Sequence, residues 1–202
     1  MGTFDQLLNK LDADNGVKGQ QFERIAKWFL INDPAYKSLL RHVWLWKEWR
    51  DRWSDLEAGI DIVAEDFSGK FWAVQCKAYR ADRTITKADI DKFLSESNRP
   101  VFAERLLIAT TDNIHHVARN TMSAQAKNVA VVGLEALRLT DSYLDWPETR
   151  AGRPTRDRST GTESYSEATA ARGRRTAISA PNRSCFRTCL GSLVKAARIS
   201  RR

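Results

Sequence analysis

The sequence predicts an α/β fold in which helices flank a central mixed sheet. Two observations carry this prediction. Segments with apolar residues at helical spacing alternate along the chain with short apolar segments of strand length. Several of the short segments are apolar on both faces, which is typical of strands that helices cover on both sides of a sheet. The expected order is α, β, β, β, α, β, α, β.

The first half of this order is one helix and three strands. Apolar residues at helical spacing, among them Phe22 and Phe29, predict the helix, and Pro34 is expected to interrupt it. An aromatic strand follows. Two further strands flank a short turn that ends at Gly69, which predicts a β-hairpin. These elements are expected at residues 19–30, 42–46, 60–65 and 70–78, with the turn at 66–69.

The second half supplies the remaining helices and strands. Thr86 followed by Asp89 resembles a capping box and predicts the start of a helix. A strongly apolar segment around Leu106 predicts a buried strand, and a helix, a strand and a short final helix follow it. The two strands are expected at residues 105–111 and 128–132, and the two later helices at 114–127 and 133–139.

Charge is unevenly distributed along the chain. Residues 1–150 contain 21 Lys and Arg against 22 Asp and Glu, whereas residues 151–202 contain 12 against 3. The basic character therefore belongs to the C-terminal region, which is rich in Arg, Ser, Thr and Ala and has no Trp. This composition predicts a disordered basic tail over residues 149–202, following a folded domain at residues 1–148.

The sequence also indicates where the protein works. It has neither a signal-like N-terminus nor an apolar segment long enough to cross a membrane. The odd number of cysteines, three, fits a reducing environment, so we expect a cytoplasmic protein that does not contact membranes. A zinc site at Cys185 and Cys189 is disfavoured, because this pair supplies only two of the four ligands that zinc needs.

The predicted hairpin brings three polar residues together. Its register places Asp61 opposite Gln75, and Gln75 and Lys77 point to the same face because alternate residues of a strand share a face. The opposite face is expected to be wholly apolar. It comprises Ile60, Ile62, Ala64, Trp72, Val74, Cys76 and Ala78.

These residue types suit metal-dependent cleavage of a phosphodiester. That reaction needs a hard cation held by oxygen ligands and positive charge near the reacting phosphate. Asp61 could bind Mg²⁺ with the Gln75 amide oxygen and the Cys76 backbone carbonyl, while Lys77 could activate water or stabilise the transition state. A second acid is expected. Glu23 on the first predicted helix is the first candidate and Glu57 the second.

At this point the chain resembles a known family. Asp61 followed by Gln75-Cys-Lys77 resembles the D…QxK variant of the PD-(D/E)xK nuclease motif. A longer set of segments resembles the Mrr-like nuclease domain, most closely the one at the N-terminus of type ISP restriction–modification enzymes. These segments are Gly19-Gln-Gln-Phe22-Glu23, Trp46-Lys-Glu-Trp49, Gly59-Ile-Asp61, Gln75-Cys-Lys77-Ala-Tyr79, Asp89-Ile-Asp91-Lys92-Phe93-Leu94 and Thr110-Thr111.

The resemblance implies a restriction-endonuclease-like core and Mg²⁺-dependent cleavage of double-stranded DNA. It implies an active-site set of Glu23, Asp61, Gln75 and Lys77, and partners in the helicase and methyltransferase parts of a restriction system. Gln75 departs from the Asp or Glu that is commoner in the wider superfamily. The tail is expected to be either the remnant of a truncated or frameshifted enzyme or a basic DNA-binding arm.

Two other functions remain open. The chain could be an inactive DNA-binding or subunit-docking module, or an enzyme acting on branched DNA. Tyr79 and Arg80 are candidates for phosphate contacts because they follow Lys77 closely. Other tempting residues are expected to be structural: at least two of the four tryptophans at 44–53 in the core, His115 and His116 on a helix, and Asp89 and Asp91 at a helix start.

Overall fold

A computed structural model describes residues 2–54 and 59–147 of the chain. These residues lie in one compact unit, Met1–Thr149. The expected tail and the expected boundary at residue 148 lie outside the described residues, as does Glu57. No helix among the described residues is long and apolar enough to cross a membrane.

The helices and strands follow the predicted order, with two short helices added. The added helices are α1 (Phe4–Leu8) and α3 (Pro34–Lys37). The other helices are α2 (Asn15–Asn32), α4 (Lys87–Glu96), α5 (His116–Ser123) and α6 (Leu134–Leu139), and the strands are β1 (Leu40–Leu45), β2 (Ile62–Asp66), β3 (Phe71–Lys77), β4 (Phe102–Ala109) and β5 (Val129–Val132).

Side-chain caps explain where several helices begin. The Asp14 carboxylate accepts hydrogen bonds from the backbone N–H groups of the first turn of α2. Asp33 ends α2 and caps α3, whose first residue is Pro34, so one short segment both stops a helix and starts the next. At α4 the Asp89 carboxylate accepts from the backbone N–H of Thr86 at 2.7 Å, which confirms the predicted helix start.

The five strands form one sheet in the order β1-β2-β3-β4-β5. β1, β2 and β3 pair antiparallel, whereas β3, β4 and β5 pair parallel. The sheet is therefore mixed, and helices flank it, as the sequence predicts. Because only β2 runs in the opposite direction, the carboxyl ends of the other four strands and the start of β2 meet at one edge. We call this the upper edge.

The hairpin has the predicted register. Ile62 pairs with Val74, and the backbone N–H of Asp66 donates to the Lys70 carbonyl at 2.9 Å across the turn. Gly69 in this turn has a φ of +78°, a left-handed conformation that glycine adopts without strain.

Apolar side chains form a core on each face of the sheet. One core packs α1, α2 and α6 against residues such as Ile62 and Val74. The other, which we call the second core, packs α4 and α5 against residues such as Val63 and Ala73. Alternate residues of β2 and β3 thus enter opposite cores, as strand geometry requires.

One assignment of the predicted apolar face was wrong. Ile60 was expected to share a face with Ile62, but it packs in the opposite core, with Val63. The cause lies at Asp61, whose backbone N–H donates to the Val74 carbonyl at 2.9 Å. Val74 already pairs with Ile62, so two residues face one, as in a β-bulge, and the alternation shifts before β2 begins.

Candidate active site

The upper edge of the sheet carries the three residues that the sequence singled out on the hairpin. Asp61 precedes β2, whereas Gln75 and Lys77 lie at the carboxyl end of β3. Since β2 and β3 are adjacent and antiparallel, the start of one strand lies beside the end of the other. The hairpin therefore brings Asp61 to the end of β3 that carries Gln75 and Lys77.

Asp61 is held in place by hydrogen bonds from two neighbouring strands. One carboxylate oxygen, Oδ2, accepts from the backbone N–H of Cys76 at 2.6 Å. The Asp61 carbonyl accepts from the backbone N–H of Trp46, just after β1, at 2.8 Å. Together with the bond to Val74, these contacts fix both the backbone and the side chain. The Asp61 carboxylate is thus oriented toward the end of β3.

Glu23 reaches the same region from α2. It and Asp61 both line an open cavity of about 150 Å³, together with Gln20, Leu45, Trp46, Lys47 and Ile60. Glu23 lies next to Phe22, which is buried in the core, so the helix packs one face on the sheet and presents the acid beside it. The structure therefore brings Glu23, the first candidate for a second acid, to the same cavity as Asp61.

Gln75 and Lys77 differ from ordinary residues at a strand end. Gln75 is buried, with 4% of its surface exposed, and its Oε1 atom has no hydrogen-bond partner among the described residues. Buried amide oxygens are nearly always hydrogen-bonded, so this atom requires an explanation. Lys77 is half-buried, and its ammonium group forms no hydrogen bond or ion pair with any residue in the described ranges.

The charged groups near the end of β3 all act on the pKa of the Cys76 thiol. Burial raises the pKa of this thiol well above its ordinary value, and the carboxylates of Asp61 and Glu23 raise it further. Lys77 acts in the opposite direction on the same thiol. Two acids and one lysine therefore lie within electrostatic range of a single atom.

Two threonines at the end of β4 fix the loop that follows Lys77, a role that the sequence did not reveal. The Thr110 hydroxyl donates to the Tyr79 carbonyl at 2.5 Å and lies 3.3 Å from the Lys77 carbonyl, which accepts from the Thr110 backbone N–H at 3.0 Å. The Thr111 hydroxyl contacts the carbonyls of Ala81 and Arg83 at 2.9 and 2.8 Å. Both threonines are buried. The sequence offered two signals, their position directly after a buried strand and their place among the segments that resemble the Mrr-like nuclease domain.

The two candidates for phosphate contacts, Tyr79 and Arg80, have surroundings that differ from each other. The Tyr79 hydroxyl donates to Asp89 at 2.7 Å, and burial followed by this hydrogen bond raises its pKa to about 12. Arg83 lies over the Tyr79 ring, 4.1 Å from its centroid. Tyr79 is therefore tied to the start of α4. Arg80 is exposed and pairs with Asp82 at 3.0 Å, a contact that water weakens.

The residues expected to have structural roles lie in the core or at helices. Trp46 and Trp49 are buried in the second core, as expected for at least two of the tryptophans. His115 caps α5, its ring 4.3 Å from that of His116, and Asp91 pairs with Lys87 on α4 at 2.7 Å. Within residues 2–54 and 59–147, no three His, Cys, Asp or Glu side chains are grouped as metal ligands.

Comparison with known proteins identifies the family. The family model Mrr_cat_2, described as a restriction endonuclease, matches residues 31–156, more than half of the chain. The chain belongs to this restriction endonuclease family. The matched segment contains Asp61, Gln75 and Lys77 but begins after Glu23. No curated protein matches the chain.

A solved structure supports the same family. The chain is similar to the "ATP-dependent Type ISP restriction-modification enzyme LlaBIII bound to DNA", with 30% sequence identity and a TM-score of 0.56. The match covers 68% of this restriction endonuclease chain but 8% of the solved chain. This confirms the resemblance to type ISP enzymes and the restriction-endonuclease-like fold that it implied.

Proposed function

We propose that this restriction endonuclease chain cleaves double-stranded DNA with Mg²⁺ and serves as the nuclease module of a restriction–modification system. The observation that carries the proposal is the position of Asp61: the Cys76 backbone N–H holds its carboxylate at 2.6 Å, and it lines one cavity with Glu23 beside the end of β3 that bears Gln75 and Lys77. Two carboxylates and a lysine at one strand end provide oxygen ligands for a cation and positive charge for a phosphate. The family supports a nuclease role; the metal, the reaction and the assembly are our inference.

The residues at this site fit a magnesium ion. The fit rests on Gln75, whose buried Oε1 atom has no hydrogen-bond partner among the described residues. An oxygen-binding cation would satisfy that atom, and Mg²⁺ prefers oxygen ligands. Glu23, Asp61, Gln75 Oε1 and the Cys76 carbonyl would hold the ion. When bound, it would polarise the phosphate and help to orient water.

The protein's own groups have separate tasks in this mechanism. The backbone N–H of Cys76 holds Asp61 at 2.6 Å, so the carboxylate is oriented before any ligand arrives. Lys77 can donate to a nonbridging phosphate oxygen, whose negative charge grows as water attacks phosphorus. Hydrolysis forms one P–O bond to the water oxygen and breaks one P–O bond of the DNA backbone. The attacking water gives up a proton to solvent, and the released DNA oxygen takes one up from solvent.

The surroundings of this activity follow from the substrate. An enzyme that restricts DNA must meet it inside the cell, so we place the protein in the cytoplasm. The solved relative is an ATP-dependent restriction–modification enzyme bound to DNA, and this chain spans 8% of its length. By analogy, we infer that helicase and methyltransferase parts would provide the motion and the sequence recognition for this nuclease.

A plasmid assay tests this proposal. The full chain should convert supercoiled DNA to nicked or linear forms with Mg²⁺, and EDTA should abolish the conversion. A parallel titration with Mn²⁺, followed by its paramagnetic effect on water, should show binding that weakens in Gln75→Leu. DNA binding without any cleavage would instead favour the inactive docking module. Preferential cutting of four-way junctions would favour an enzyme for branched DNA.

A further inference from the structure

A second, larger cavity lies along the same upper edge. It has a volume of about 400 Å³ and lies beyond the end of β3, away from the cavity that Asp61 lines. Its lining includes Lys18 from α2, Arg80 and Tyr79 from the loop after β3, Thr110, and Asp5 with Arg138. Lys77, at the end of β3, directly precedes the segment that forms one of its walls.

The charges around this second cavity favour an anion. Three cations and one carboxylate line it. The carboxylate, Asp5, is engaged by Arg138 at 3.0 and 3.1 Å. Lys18 is half-buried and forms no ion pair within the part of the chain that the structure describes. Arg80 is exposed, and water weakens its 3.0 Å pair with Asp82, so a bound phosphate could compete with Asp82 for this cation. Lys18 and Arg80 are therefore the cations that a ligand could engage.

The wall of the second cavity is held firmly relative to Lys77. The Thr110 backbone N–H donates to the Lys77 carbonyl and its hydroxyl donates to the Tyr79 carbonyl, so the loop cannot move without breaking contacts to β4. The helix α2 connects the two cavities, because Lys18 lines one and Glu23 the other. The positions of Lys18 and Glu23 differ by five residues, which is a rise of about 7.5 Å along the helix axis.

We propose that the second cavity binds an internal phosphodiester of the DNA strand, a different one from the phosphate that reacts at Asp61. Lys18 and Arg80 supply the positive charge, and Arg138 is a wall residue held by Asp5. This proposal rests on the proposed function, because it assumes that DNA occupies the upper edge. It adds the direction of the bound strand, from the end of β1 and the start of β2 toward the ends of β3 and β4.

Binding measured without cleavage tests the proposal. The full chain is titrated with a short DNA duplex in Ca²⁺ instead of Mg²⁺, over a range of salt concentrations. Lys18→Ala and Arg80→Ala should each reduce the slope of log affinity against log salt by about 0.9. Each should weaken binding roughly threefold at moderate salt. Lys18→Arg should restore the slope, since it keeps the charge.

Lys37→Ala is the matched control. Lys37 is exposed and ends α3 before β1 begins, at the sheet edge opposite the upper edge. Its removal should leave the slope unchanged, and residues 151–202 are common to every variant, so their charge cancels in the comparison. Melting curves establish that each variant is folded.

Three outcomes would overturn the second-cavity proposal. In the first, Lys18→Ala and Arg80→Ala have the parent slope. In the second, Lys37→Ala changes the slope equally. In the third, the effect appears only with a 5′-phosphorylated duplex or is abolished by inorganic phosphate, which would indicate a terminal or free phosphate. Failure of the proposed function is separate: it would appear as no cleavage in Mg²⁺, while the salt slopes in Ca²⁺ still respond.

Discussion

Replacing Gly59 with alanine should destabilise the fold more than the same change at Gly69. Both glycines have positive φ values, +74° and +78°, so alanine costs about 1–2 kcal/mol of backbone strain at either position. Only Gly59 is also crowded. A Cβ atom there would lie 2.9 Å from Lys92 Cγ and 3.2 Å from the Phe93 backbone nitrogen. At Gly69 the nearest atom is 3.9 Å away.

The crowded site should therefore cost more. The Lys92 side chain can shift, but the backbone of α4 cannot move without disturbing the second core, so a further 1–2 kcal/mol, roughly, is expected from overpacking. The total of about 2–4 kcal/mol corresponds to a decrease in Tm of roughly 5–12 °C, against about half of that for Gly69→Ala. Thermal melting followed by circular dichroism measures both variants. Equal Tm values would refute the claim that contact with α4 fixes the segment leading into Asp61.

The remaining predictions concern catalysis, a buried charge and pH. Lys77→Ala should lower kcat by on the order of a hundredfold with little change in DNA affinity; an unchanged cleavage rate would remove Lys77 from the mechanism. The buried Arg105 guanidinium donates to neutral backbone and amide oxygens of the described residues, so Arg105→Met leaves those oxygens without a donor and should cost about 1–3 kcal/mol in chemical denaturation; an unchanged stability would mean that those oxygens find other partners. Burial raises the pKa of Asp89, but hydrogen bonds from Thr86 and Tyr79 and the charge of Arg83 hold this pKa below its ordinary value. A depressed pKa adds stability above the unfolded value that is lost as pH falls through the folded value, so stability should decrease below about pH 4. Asp89→Asn should be less stable at neutral pH and should lose less on acidification; an identical pH profile would contradict this.

The hairpin was predictable because its information is local. Four turn residues fix the register, and the alternation of apolar residues fixes which face is buried, so the pairing of Asp66 with Lys70 followed from the sequence alone. The exception, Ile60, lies where the Asp61 backbone bonds to Val74 and the alternation shifts. That bond depends on the neighbouring strand, and no local pattern signals it.

The short helices and one helix end depend on distant contacts. Helix α1 has only five residues, and Phe4 packs on Trp146 with ring centroids 4.8 Å apart, so its stability comes from the far end of the domain. The helix expected at residues 114–127 covers only His116–Ser123. Beyond it, Lys127 donates to the carbonyls of Asn98 and Arg99, contacts that hold this segment outside the helix.

The candidate site divides in the same way. Asp61, Gln75 and Lys77 belong to one hairpin, so their proximity followed from strand pairing. Glu23 was predicted as a candidate because magnesium binding needs a second acid and because of the family resemblance. No local sequence pattern connects α2 with β3. The second cavity was not predicted at all, since α1, α2, α6 and two loops form it together. Tertiary packing determines such a site.

The central claim is that Asp61 is essential for metal-dependent DNA cleavage, and Asp61→Asn tests it most directly. The Cys76 N–H donates to the Asp61 carboxylate at 2.6 Å, and the side-chain oxygen of asparagine can accept the same hydrogen bond. The fold should therefore be kept while the negative charge is lost. Asp91→Asn, on the exposed side of α4, is the matched control. In a plasmid assay with Mg²⁺, the parent and Asp91→Asn should cut DNA, whereas Asp61→Asn should not, although all three melt alike. Cleavage by Asp61→Asn at the parental rate would contradict the proposed site.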